Sequence, residues 1–188
     1  MSFLRVTINS DYNYYVSYHL DLKGMEVSNM ARRVFFSFHY ERDILRVGQI
    51  RNSGLTKPDI ESAGFIDSAS WESIKKQGDD AIKRWINTQL NNTSVTVVLI
   101  GAETSLRPWV DYEIRESYSR GNGMLGIYIH NVRDLKGQVD FAGRNPFDNF
   151  NVKGISLSRY YRTYDWVNDR GYNNFPQWVE AAAKAAGK

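Results

Sequence analysis

A chain of 188 residues with 42% hydrophobic residues, 24% charged residues and only 4 prolines has the size and composition of one globular domain, neither disordered nor fibrous. The absence of cysteine excludes disulfides, thiolate metal sites and a cysteine nucleophile, and a reducing cytoplasm is the setting expected. The 24 basic and 21 acidic residues are mixed along the chain, so the net charge of +3 predicts no nucleic-acid partner. No run approaches the ~20 apolar residues of a membrane span, and no secretory leader is expected. The nearest thing to a basic stripe is Arg32, Arg33, Arg42, Arg46 and Arg51, which reads as the solvated face of a strand start and a helix.

Residues 1–29 read unlike the rest. Val6 to Tyr18 is rich in Tyr, Asn and Ser and has no sustained period. If Glu26 is encoded by GAG, the nucleotides across Met25, Glu26 and Val27 contain GGAGGT, a ribosome-binding sequence suitably placed before an ATG for Met30. The expectation is that translation starts at Met30, with 1–29 an extension and 30–188 the domain. The alternative is a genuine additional β-hairpin.

From Arg33 strands alternate with helices. Val34–Phe38 is a short apolar β-prone run, followed by Ile44, Val47 and Ile50 at helical spacing. A loop from Asn52 to Glu61 leads to a second strand, Ala63–Asp67. Apolar positions at 71, 74, 78, 81, 82, 85, 86 and 90 give one helical stripe from Trp71 to Leu90. Ser94–Ile100 is nearly continuous and β-branched, as a strand buried on both faces requires. A helix opens near Pro108, runs to about Arg120 and stops at Gly121-Asn122-Gly123. Met124–Ile129 is the fourth strand, Asn131–Gly154 a polar excursion, Tyr160–Trp166 the fifth strand and Phe175–Ala185 the last helix.

This alternation implies an α/β, flavodoxin-like three-layer sandwich around a central parallel five-stranded sheet, order 2-1-3-4-5. Ligands of such sheets sit beyond the carboxyl ends of the strands, at the switch point between the first and third. That rule nominates Phe38-His39, Asp67 and Gly101-Ala102-Glu103, with the helix that follows.

Some motif matches mislead. Gly121-Asn122-Gly123-Met124-Leu125-Gly126 fits GxGxxG but closes a helix and opens a strand, the reverse of a dinucleotide fingerprint, and reads as a helix cap and turn. His19, His39 and His130 lie far apart, so no metal site is expected. Neither a P-loop nor a GxSxG elbow occurs.

Ser105-Leu106-Arg107-Pro108-Trp109-Val110-Asp111-Tyr112-Glu113-Ile114 resembles the TIR-domain signature S…W-x-x-x-E-apolar on the third helix. Val34–His39 resembles the first TIR strand and its loop, and Phe65-Ile66-Asp67 the second strand and the start of the BB loop. With Asn91-Asn92-Thr93-Ser94, Asn145-Pro146-Phe147-Asp148 and Tyr164-Asp165-Trp166-Val167, the chain resembles the TIR-like subfamily of the antiphage Thoeris system, the ThsB subunit, across 31–179. The resemblance implies an NAD-consuming enzyme that makes a cyclic ADP-ribose isomer during phage infection, a diffusible signal for the effector ThsA. It also implies a phage trigger or self-assembly into a homo-oligomer as a condition of activity. NAD would be the substrate, and no cofactor is expected.

On this reading Glu113 is the catalytic carboxylate, and Phe38, His39, Asp67, Trp71 and Trp109 bind substrate. One carboxylate suffices because the nicotinamide of NAD is already a cationic pyridinium and leaves neutral, without an acid. What needs stabilising is the oxocarbenium charge on the ribose. Trp109 and Glu113, four apart on one helix, share a face. Glu103 is the rival carboxylate, Asp67 suits a helix cap equally well, and Trp71 suits a core position. Two other classes remain open: a TIR-like module that signals only by docking, and a flavodoxin-like nucleotide binder such as a deoxyribosyltransferase.

Overall fold

The computed structural model describes residues 32–51, 66 and 68–188, with Arg51 described by its backbone alone. Residues 1–31, and with them the expected start at Met30, lie outside the described residues, as do Asp67 and all of the expected second strand except Ile66. Strand β1 (Val34–Ser37) is buried at every position. Helix α1 (Tyr40–Arg51) follows at once, with Glu41 and Asp43 in its first turn, where carboxylates meet the positive end of the helix dipole.

The apolar stripe expected to form one helix forms two, α2 (Ser68–Lys76) and α3 (Asp79–Leu90). Gly78, counted in the stripe, takes φ 89° and ends the first helix, and Asp79 and Asp80 open the second. The stripe survives because both helices bury it, through Trp71 on α2 and Ile82, Ile86 and Leu90 on α3.

Strand β2 (Val95–Ile100) is buried throughout, and α4 (Pro108–Ser119) carries its proline in the first turn. Gly121 at φ 65° closes α4, its N–H donating to Tyr118 O while Asn122 N–H donates to Ser117 O. The GxGxxG match is therefore a helix cap running into strand β3 (Gly123–Tyr128). Within the polar excursion β4 (Asn151–Val152) and β5 (Ile155–Ser156) pair antiparallel around Lys153-Gly154, both at positive φ. Strand β6 (Thr163–Asp165) is shorter than expected, because Tyr160 and Tyr161 donate their N–H groups back to Leu157 O at the end of the 3-10 turn Leu157–Arg159. Helix α5 (Gly171–Ala185) starts before Phe175, Asn173 and Asn174 both donating to Arg170 O.

The sheet has four parallel strands in the order β1-β2-β3-β6. These are the expected first, third, fourth and fifth strands, in the expected sequence. Alternation along each strand feeds two cores. Val34 and Phe36, with Val95, Val97, Leu99, Leu125 and Ile127, pack under Val47 and Ile50 of α1 and Phe175 and Val179 of α5. On the other face Val98 and Ile100 meet Val110 and Ile114 of α4. Phe35 meets Trp71 of α2 and Ile82 and Ile86 of α3. Helices thus cover both faces.

The arginines of α1 fasten the polar excursion. Arg42 makes paired hydrogen bonds to Asp140, and Arg46 donates to Val132 O at 3.0 Å and lies 3.6 Å from Asp140. Arg32 pairs with Glu180 at 2.9 Å. Three members of the apparent basic group are thus taken up by internal partners. Asp43 is fully buried beside this network, and burial pushes its carboxyl up to about 6 despite Arg46 and Arg42. Its carboxylate lies against Gly101, where a Cβ would collide with it. No described helix is long and apolar enough to cross a membrane.

Candidate active site

The site grows from the alternation of β1. Phe35 and Ser37 point to the face covered by α2, α3 and α4, and Ser37 is a buried polar residue at the end of an apolar strand. A buried hydroxyl needs a partner. Ser37 Oγ donates to Glu113 Oε2 at 2.5 Å. On α4 the buried positions are Val110, Glu113, Ile114 and Ser117, one helical stripe with a carboxyl group in it. Glu113 is 9% exposed. Burial pushes its carboxyl up to about 8, against the opposite pull of the Ser37 hydrogen bond.

Glu113 lines a cleft of about 220 Å³ at the carboxyl end of β1. Phe38, His39, Trp71 and Trp109 line the same cleft, so the structure brings together every proposed site residue except Asp67, which lies outside the described residues. Trp71 belongs to both readings made of it: it sits in the core cluster with Phe35, and it also walls the cleft. Its ring tilts against Tyr40 and Trp85, and with Trp109 these side chains give the cleft an aromatic wall. Trp109 is half-buried and meets Tyr112 edge-on, ring centroids 6.1 Å apart.

The rim is charged. His39 Nε2 stands 3.3 Å from Glu41, and Lys75 Nζ reaches Glu41 at 3.2 Å and Glu72 at 2.6 Å. Burial, with Arg107 nearby, holds the His39 imidazole below its ordinary value in spite of Glu41, so it is neutral at pH 7. Glu103, the rival carboxylate, is ion-paired with Arg42 at 3.2 Å and with Arg107, and it is absent from the cleft lining. Among the described residues no group of three or more His, Cys, Asp or Glu is placed to hold a metal ion.

Sequence reasoning missed Ser37, Lys75, Trp85 and Arg107. Ser37 carried a usable signal, a hydroxyl in an otherwise apolar buried strand; Lys75 and Arg107 carried no local signal of a place in the cleft. A larger cavity, about 620 Å³, lies at the opposite end of the strands, between Gly123-Met124 of β3 and the last turn of α5. Its lining includes Tyr118, Tyr161 and Trp178 but no carboxylate or histidine, whereas the smaller cleft holds both.

The family model described as "Thoeris protein ThsB, TIR-like domain" matches residues 35–134, from β1 through the start of the polar excursion, and so includes Ser37 and Glu113. A protein of Bacillus cereus (strain MSX-D12) named "Putative cyclic ADP-D-ribose synthase ThsB1" is 41% identical over 191 residues, covering 80% of this chain and 100% of its own length. The chain belongs to the ThsB family of TIR-like domains. In this ThsB-family chain the W-x-x-x-E spacing of Trp109 and Glu113 puts both side chains on one wall of the cleft.

Proposed function

We propose that this ThsB-family chain breaks the nicotinamide–ribose bond of NAD, with Glu113 as the catalytic carboxylate, and closes the ADP-ribose into a cyclic isomer. The observation that carries the reading is the burial of Glu113 in an aromatic-walled cleft, its carboxyl hydrogen-bonded to Ser37 alone among the described residues. The name of the Bacillus cereus relative supports the same reaction class.

The bond between the ribose anomeric carbon and the pyridine nitrogen breaks with both electrons going to nitrogen, and nicotinamide leaves neutral. The sugar is left as an oxocarbenium cation, which an ionised Glu113 in a low-dielectric cleft stabilises far better than it would in water. Phe38, Trp71 and Trp109 pack on the substrate and exclude water, so a hydroxyl or ring nitrogen of the substrate's own adenosine half captures the cation. A hydroxyl nucleophile then gives up its proton to the Glu113 carboxylate, which passes it to solvent. Asp67 is proposed as a further contact to the substrate. In the infected cell the cyclic product is the cytoplasmic signal that activates the effector ThsA, after a phage trigger or self-assembly.

The test is nicotinamide release from NAD by the pure chain, with Glu113→Gln and Glu113→Ala alongside. Loss of turnover by at least about a hundredfold in both variants is expected, the scale for removing a group that meets transition-state charge. Turnover that persists in both would remove Glu113 from the mechanism.

A further inference from the structure

Two residues that line the Glu113 cleft each carry a buried donor nitrogen without a hydrogen-bond partner, Trp71 Nε1 and Arg107 Nε. Buried donors left unpaired are costly, and two on the residues of one cleft point to a ligand that brings acceptors. Two cations line the same cleft from different elements, Arg107 at the entry to α4 and Lys75 on α2. Each is held by rim carboxylates, Arg107 by Glu103 and Lys75 by Glu41 and Glu72. With His39 neutral and Glu113 protonated in the empty cleft, the lining carries Arg107 and Lys75 against Glu41 alone.

We propose that Arg107 and Lys75 form a pyrophosphate subsite in the Glu113 cleft, which makes the substrate a dinucleotide rather than a simple nucleoside. The assignment deepens the proposed NAD reaction and rests on it for the identity of the substrate. Arg107 presents a planar fork whose Nε–H is unused, the geometry suited to two phosphate oxygens, while Lys75 supplies a point charge. The unused Trp71 Nε1–H is a further donor in the same cleft. A ligand binding there exchanges the exposed contacts to Glu103 and Glu41, weak in water, for contacts to a double negative charge.

The test is binding of ADP-ribose to the full-length chain, measured by calorimetry over a range of salt concentrations, for the wild type, Arg107→Gln, Arg107→Lys and Lys75→Gln. Arg107→Gln is expected to weaken ADP-ribose by about tenfold or more and to flatten the salt dependence. Arg107→Lys keeps that dependence and part of the affinity. Lys75→Gln weakens binding by a smaller factor. Unchanged ADP-ribose affinity in Arg107→Gln overturns the subsite. So does an equal loss in the Gln and Lys variants with the salt dependence intact, since Arg107 would then act through packing. A wild type that binds ADP-ribose in this Arg107-dependent way yet yields no nicotinamide from NAD even in phage-infected cells would retire the reaction and keep the subsite. Absence of ADP-ribose binding to the wild type would remove the subsite outright.

Discussion

Ser37 Oγ donates to Glu113 Oε2 across the contact between β1 and α4, and among the described residues this is the one hydrogen bond made to the Glu113 carboxyl. Among the described residues no cation is ion-paired with the group, and burial pushes it up to about 8. The empty cleft at neutral pH therefore holds a carboxylic acid, whereas stabilising an oxocarbenium needs the carboxylate. The kcat/KM for NAD is expected to rise tenfold per pH unit toward a plateau above about pH 8, since that ratio reports ionisation in the free enzyme. Bound NAD brings its pyridinium beside the carboxyl and favours the charged form, so the kcat profile should have its midpoint at lower pH. Nicotinamide release measured across pH checks both; a flat kcat/KM profile through pH 8 would argue that Glu113 is not the group that titrates.

Replacing Ser37 isolates the hydrogen bond. Ser37→Ala removes the one interaction that favours ionised Glu113, and hydrogen bonds to charged groups are worth about 1.5–3 kcal/mol, or about one to two pH units. The kcat/KM profile should move to higher pH by that amount, with activity at neutral pH falling about tenfold or more. At sufficiently alkaline pH the variant should recover much of the deficit. A deficit independent of pH would mean that Ser37 acts by packing alone.

The same carboxyl leaves a mark on stability. Its folded value, about 8, lies above the unfolded value near 4.5, so between those limits the folded state holds a proton that the unfolded state releases. Raising the pH through that window costs the fold up to about 1.4 kcal/mol per unit. The stabilisation is full below the unfolded value and gone above the folded one. Glu113→Gln has no proton to lose there. Its melting temperature relative to the wild type should climb from acid pH to pH 8, as scanning calorimetry at several pH values would record, and a constant offset would count against the burial argument.

Much of this arrangement can be read in the letters, and the parts that cannot have physical reasons. Strands β1, β2 and β3 are legible because each is a short apolar run in a chain with few competing ones, whereas β6, Thr163-Tyr164-Asp165, shows only as part of a Tyr- and Trp-containing stretch. Glu113 is legible twice: it sits at tryptophan spacing, and it occupies a position of the α4 stripe that Val110, Ile114 and Ser117 otherwise bury. The break at Gly78 is not legible from periodicity, because a glycine satisfies an apolar pattern whether or not its backbone is helical. Arg42 and Arg46 look like solvated cations until the excursion folds back and offers them Asp140 and Val132 O, about ninety residues away. Lys75 and Arg107 reach the cleft only because α2 and the entry to α4 converge there, a tertiary fact that no local pattern encodes.

Glu103 offers a sharp contrast with Glu113. It follows β2 and contacts Arg107, Arg42 and the neighbourhood of His39, but it stands on the rim, about as exposed as its arginine partners. Its place in the rim is to hold Arg107 when no ligand is present. Glu103→Gln is expected to lower the KM for NAD by about two- to fivefold, the scale of an exposed ion pair, with little change in kcat. Steady-state kinetics decides between the two carboxylates, because abolished turnover in this variant would transfer the catalytic role to Glu103.

In the proposed reaction, Trp109 governs what happens after the bond breaks. The indole stands on the same α4 face as Glu113, half-buried and braced edge-on by Tyr112. An oxocarbenium beside an open wall is captured by bulk water, whereas one beside a closed wall waits for the folded-back adenosine half. Trp109→Ala opens that wall without touching the carboxyl group, so nicotinamide release should persist while the ratio of linear to cyclic ADP-ribose rises severalfold. Trp109→Phe keeps an aromatic wall and should lie between the two. Chromatographic separation of the linear and cyclic products measures the partition directly. An unchanged partition in Trp109→Ala would place the exclusion of water elsewhere in the cleft, with Phe38 and Trp71 as the remaining walls to test.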